Sequence, residues 1–140
     1  MKLFPVAALV LASLLTACAS NSVPPLGEGR PGTLVIYQPL SSHSDARLPF
    51  IYVDGFRLGR MGIGDVKTVA LAPGSHRVSL REPLLYWPGQ ESAVTDVNIS
   101  AGKTSYVRFL RKQVGVGASG NGETLPSLSE VTADQGEDHQ

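Results

Sequence analysis

Few residues in this 140-residue chain combine a reactive side chain with an informative position. The one cysteine, Cys18, brings a thiol that can be alkylated, oxidised or bound to a metal. The three histidines are His43 in a polar loop, His76 beside a turn and His139 near the carboxyl end. No two of them have metal-ligand spacing, and no second cysteine completes a site. No Gly-x-Ser-x-Gly elbow occurs, and the glycines after Lys112 precede no helix on which a phosphate could sit. The expectation is therefore no catalytic residue, no metal and no cofactor. The alternative is a small periplasmic hydrolase or metal-dependent enzyme. It would gather His76 or His43 with carboxylates such as Asp54, Asp65 or Asp96 in one pocket.

The surroundings of Cys18 give it a role. Lys2 begins a short positive region, Leu3 to Leu15 form an apolar run, and small residues lead up to the cysteine. That order is a secretory signal with its cleavage site. The run is shorter than the roughly 20 apolar residues a membrane span needs, and it breaks into Ala19-Ser20-Asn21-Ser22. Leu15-Thr16-Ala17-Cys18 resembles the bacterial lipobox. The resemblance implies cleavage before Cys18, a lipid on its thiol and acylation of the new amino terminus. A thioether would also remove an unpaired thiol from an oxidising compartment. Ala19 and Ser20, with no Asp beside the cysteine, resemble the sorting pattern for outer-membrane delivery, with the mature chain facing the periplasm.

Charge is unevenly spread. The formal net charge is +0, yet basic residues outnumber acidic ones between Cys18 and Lys112, and no Lys or Arg follows Lys112. Arg77, Arg81, Arg108 and Arg111 fall at strand positions expected to face outward. Together they would make a basic face for carboxylates, phosphates or an acidic protein. The bland reading is a solvated surface that keeps strand edges soluble. Tyr86 and Trp87 lie in Leu84-Leu85-Tyr86-Trp87-Pro88, where exposed aromatics can meet sugars, peptides or lipid interfaces. A domain this small needs cover for its core, which favours this segment folding back over one end. The partners expected are a membrane, through the lipid, and an envelope protein or glycan. Nucleic acid is not expected.

The elements that would position these residues are strands. Thr33 to Tyr37 is β-branched and apolar. Phe50 to Val53 and Phe56 to Gly59 flank Asp54-Gly55, a dipeptide that favours a two-residue hairpin turn. Gly59, Gly62 and Gly64 suggest a bulge or turn. Lys67 to Leu71 leads into the turn Ala72-Pro73-Gly74-Ser75. His76 to Arg81, Ser92 to Ser100 and Thr104 to Leu110 alternate with period two. Glu82 to Glu91 reads as an irregular excursion. Leu125 to Val131 fits an edge strand or a helical turn. About seven short strands spaced by about 8–12 residues predict an all-β fold, a small antiparallel β-sandwich.

The expected organisation is a signal peptide at 1–17, a lipidated Cys18 with a flexible tether at 18–32, a β-sandwich at 33–112, and a Gly-rich, acidic, mostly disordered tail at 113–140. Three stretches recur in order: Tyr52-Val53-Asp54-Gly55 with Leu58-Gly59; Leu71-Ala72-Pro73-Gly74-Ser75-His76-Arg77-Val78; and Ile99-Ser100-Ala101-Gly102-Lys103-Thr104-Ser105-Tyr106-Val107. This succession resembles the DUF2846 family of bacterial lipoproteins and is similar to PEGA-type surface domains. The resemblance implies a small β-sandwich at the cell envelope with no enzymatic activity, and it carries over no functional residues.

Overall fold

The computed structural model describes residues 24–42, 47–116 and 122–137. The signal peptide expected at 1–17 and Cys18, and also His43 and His139, lie outside them. Eight strands and one short helix follow in order: β1 (Gly32–Tyr37), β2 (Phe50–Val53), β3 (Phe56–Arg60), β4 (Val66–Leu71), β5 (Gly74–Leu84), β6 (Trp87–Ile99), β7 (Thr104–Val116), β8 (Gly122–Val131) and α1 (Ala133–Glu137). They form two four-stranded sheets, ordered β4-β1-β7-β8 and β3-β2-β5-β6. The chain is an all-β sandwich. One pair, β1 with β7, runs parallel, so the first sheet is mixed rather than purely antiparallel.

Alternation builds the core. Leu34, Ile36, Val69, Leu71, Val107 and Phe109 of the first sheet meet Ile51, Val53, Val78, Leu80, Val97 and Ile99 of the second. Met61, from the loop after β3, closes the cluster. Burying each such side chain contributes on the order of 1.5–3 kcal/mol. Val35, Tyr37 and Tyr106 point to the opposite face of the first sheet and are buried as well, packed with Val131. Their cover comes from the carboxyl-terminal segment. The Tyr37 hydroxyl donates to the Gln135 carbonyl at 3.2 Å, and Gly136 is buried against the Tyr106 ring.

The Asp54-Gly55 hairpin forms as expected. Both residues take positive φ, 49° and 82°, as its two-residue turn requires. Other expectations need correction. Glu82 to Glu91 is a strand hairpin with shifts in its register and not an irregular excursion. β5 and β6 continue past the sandwich as a two-stranded arm, with Pro83 opposite Pro88 and Leu84 opposite Trp87. Each proline has only one neighbouring strand there, so its missing N–H costs no ladder bond. The sheet does not stop at Lys112 either. β7 runs to Val116, and β8 pairs with it from Gly122 to Val131 as an edge strand. The segment after Thr132, expected to be disordered, holds α1. In the segment expected to be a flexible tether, Pro24 is buried, and the Gly102 N–H donates to the Pro31 carbonyl.

The sandwich has two unlike ends. β1 begins at one of them, beside the turn at 100–103, where the Thr33 N–H donates to the Lys103 carbonyl. Gly74 pairs with Ile99 at that same end. The Leu85-Tyr86 turn of the arm lies at the other.

Candidate anion-binding face

The outer face of the second sheet follows from the core pattern. Ile51 and Val53 point inward, so Phe50 and Tyr52 point outward. On β5, Val78 and Leu80 point inward, so Arg77, Ser79 and Arg81 share the outer face with them. β3 adds two more cations through an irregularity. Arg57 pairs with Tyr52, Gly59 with Ile51 and Arg60 with Phe50, so Leu58 is an extra residue in the register. Arg57 and Arg60 would fall on opposite faces of a regular strand. The bulge puts both on the outer one.

The arginines lie on the aromatic rings. The guanidinium carbons of Arg57 and Arg60 are 5.3 and 4.7 Å from the Phe50 centroid. That of Arg81 is 5.0 Å from the Tyr52 centroid. These separations are in the range where the ring quadrupole attracts a cation. Phe50 stands on a solvent face yet is only 3% exposed, because the arginine side chains cover it. No described carboxylate lies in ion-pair reach of Arg57, Arg60 or Arg81. Stacking holds these guanidinium groups in place; Glu91, which stands opposite Arg81 in register, is paired with Arg77 instead.

The four arginines expected on one face separate into three settings. Arg81 belongs to this cluster. Arg77 is on the same face, but its guanidinium is 2.7 Å from Glu91 Oε1 and so is neutralised. Arg108 belongs to the other sheet, opposite Tyr37 in register, and its Nε is buried with no hydrogen-bond partner. Burial pushes the Tyr37 phenol above its usual value, while the charge of Arg108 pulls in the opposite direction. Arg111 is not outward-facing. It is 4% exposed, and one guanidinium nitrogen lies 2.8 and 2.9 Å from the two carboxylate oxygens of Glu82. Tyr86 and Trp87 do not fold back over the core. They are 85% and 75% exposed at the tip of the arm.

Phe50, Tyr52, Arg57 and Arg60 escaped the sequence reading. The signal that could have found them is Gly59. A glycine in a strand marks a bulge, and a bulge lets two arginines three positions apart share one face.

His76 has partners that its sequence neighbours did not reveal. Its Nε2–H donates to the Ala72 carbonyl at 2.7 Å, and Nδ1 lies 2.6 Å from Asp54 Oδ2. Asp54 Oδ1 also accepts from the Arg77 N–H at 2.9 Å. The pair therefore ties the β2–β3 turn to the start of β5. With both ring nitrogens engaged, neither is left to activate a nucleophile or hold a metal. Asp65 instead accepts from the Gly62 N–H at 2.8 Å. Among the described residues no three His, Cys, Asp or Glu side chains gather as a metal site. No described helix is long and apolar enough to cross a membrane.

No family model matches the chain, and a search of curated proteins finds no match either.

Proposed function

We propose that this chain is a non-enzymatic binding module of the bacterial envelope, a DUF2846-like lipoprotein. It would be anchored in the outer membrane through a lipid on Cys18 and would face the periplasm. Its working surface is the outer face of the second sheet, and its partner is an envelope protein or glycan that carries carboxylates or phosphates. One observation carries this reading: Arg57, Arg60 and Arg81 are fixed over Phe50 and Tyr52, and none is ion-paired with a described carboxylate. Guanidinium groups hold carboxylate and phosphate through paired N–H donors. Rings that orient those groups beforehand reduce the entropy lost on binding.

The test is sedimentation of the chain with purified peptidoglycan, which carries free carboxylates, over a range of salt. The triple variant Arg57→Gln, Arg60→Gln, Arg81→Gln is expected to bind about tenfold or more weakly and to lose salt dependence. Arg77→Gln is expected to change little, since Glu91 already takes that charge. Equal binding by the triple variant would reject this face as the site. The anchor has its own test: labelled palmitate enters the wild type and not Cys18→Ser.

A further inference from the structure

The arm formed by β5 and β6 ends in four consecutive large apolar residues exposed to water. Leu84 is 70% exposed and Leu85, Tyr86 and Trp87 are 85%, 85% and 75% exposed. Solvent-facing apolar residues on small proteins are usually scattered singly. Here they form a convex wedge at the end of a two-stranded ribbon.

The backbone of that turn makes the composition more telling. Leu85 has φ 58°, in the left-handed region. A two-residue hairpin turn with positive φ at its first central position calls for glycine there. A bulky side chain in that region is strained, and such strain collects where function needs a particular side chain. The turn thus keeps a leucine where local structure favours its absence.

Cations stand behind the wedge. Arg81 is three residues before Leu84 on the same strand, which sets it about 10 Å back from the tip. Arg60 is level with Arg81, because both are in register with Phe50. Neither has a described carboxylate partner. From the tip backward come the Leu85-Tyr86 turn, then the Leu84–Trp87 pair, then the guanidinium groups of Arg81 and Arg60. A lipid bilayer presents the matching order from inside outward: acyl chains, an interfacial layer that favours Tyr and Trp, then phosphates. Interfacial segments sink by about 5–10 Å, close to the spacing between tip and arginines.

We infer that the tip of this arm seats in the interfacial layer of an anionic lipid bilayer, with Leu84, Leu85, Tyr86 and Trp87 below the headgroups and Arg60 and Arg81 against their phosphates. The contact does not depend on the lipid anchor, and it shares Arg60 and Arg81 with the anionic partner proposed above. Charge attraction brings the arm to the surface, and burial of the tip holds it there.

Trp87 is the only tryptophan in the chain, so its fluorescence reports the tip alone, whether or not the chain is also anchored elsewhere. The full chain is mixed with vesicles of phosphatidylcholine, with or without phosphatidylglycerol, and with lipids brominated at set depths along the acyl chain. On phosphatidylglycerol vesicles the emission is expected to move to the blue and to be quenched by bromines near the interface. On pure phosphatidylcholine the shift should be smaller. Leu85→Asp should return the emission to its lipid-free position, a loss of about tenfold or more in partitioning. Arg60→Gln with Arg81→Gln should remove the preference for phosphatidylglycerol. Unchanged emission on vesicles would overturn the proposal, as would an equal shift on both lipids. A shift that needs no lipid and grows with protein concentration would overturn it in favour of a second copy of the chain.

Discussion

Arg111 of β7 and Glu82 of β5 bridge the two sheets: a single guanidinium nitrogen lies 2.8 and 2.9 Å from the two carboxylate oxygens. Arg111 is 4% exposed, and its backbone N–H donates to Ser42 Oγ at 3.0 Å. The contact joins the base of the arm to the neighbouring hairpin. Removing Glu82 takes a close carboxylate from a nearly buried guanidinium, which costs more than the pair itself contributes. Glu82→Ala is expected to destabilise the domain by about 2–4 kcal/mol. The double variant Glu82→Leu, Arg111→Met should cost less, because it removes the buried guanidinium together with its carboxylate. Urea unfolding of the three proteins measures the difference.

Asp54 does two things in the β2–β3 turn. It occupies a left-handed backbone position, and it accepts from the Arg77 N–H while touching His76. Asp54→Ala loses both contacts and places a Cβ-bearing residue with no local hydrogen bond at positive φ. A loss of about 2–3 kcal/mol is expected. Asp54→Asn tolerates the same φ and keeps an acceptor oxygen, so it should lose less than half as much. Denaturation midpoints decide between the two.

Tyr37 predicts an alkaline limit to stability. Its phenol is held above the usual value of 10.0 by burial, against the pull of Arg108. Above that unfolded value the unfolded chain releases a proton that the folded chain retains. Stability is therefore fully present below about pH 10 and falls as pH rises from there through the folded value. Tyr37→Phe should flatten the fall. It also removes the bond to Gln135, at a cost of about 0.5–1.5 kcal/mol at neutral pH. Phenolate absorbance should show Tyr37 titrating above 10.0.

Gly136 tests the docking of α1. Alanine is a better helix former than glycine by about 1 kcal/mol. A methyl group at this position would nevertheless collide with the Tyr106 ring. The collision should win, since the ring stands on a sheet and has little room to move. Gly136→Ala is expected to lift α1, expose Tyr37 and Tyr106, and cost about 1–3 kcal/mol. Faster proteolysis after Thr132, with the sheet signal of circular dichroism intact, would be the readout.

Leu85→Gly should separate stability from the proposed lipid contact. Relief of the left-handed strain is expected to stabilise the hairpin by about 1 kcal/mol. The same change should weaken the Trp87 response to vesicles. A melting temperature that falls instead would show that Leu85 packs against something.

Much of the sandwich was legible because its strands obey local rules. Asp54-Gly55, the Ala72-to-Ser75 turn and the alternation through Val78-Leu80 and Val107-Phe109 lead to the strands observed. The arm was not, because Pro83, Pro88 and Gly89 are strand breakers in a sheet interior and acceptable only where one side is unpaired. The pattern also encodes the inward position of Arg111. Arg111 is two residues beyond Phe109, so the same alternation that sent Phe109 inward sends Arg111 inward too. The arginine face depended on a bulge that shifts Arg57 by one register position, and single-sequence periodicity does not see such a shift. The His76–Asp54 contact joins residues 22 positions apart through two turns, and no local pattern encodes it.

β1 lies in the middle of its sheet, hydrogen-bonded to β4 on one side and to β7 on the other. Its first residue sits at the end of the sandwich away from the arm. Tension between the amino terminus and the arm tip would therefore pull β1 lengthwise, loading both ladders in shear, with all their bonds strained together instead of peeling one by one. This arrangement suits a domain tugged between two surfaces, because it would extend little before it broke.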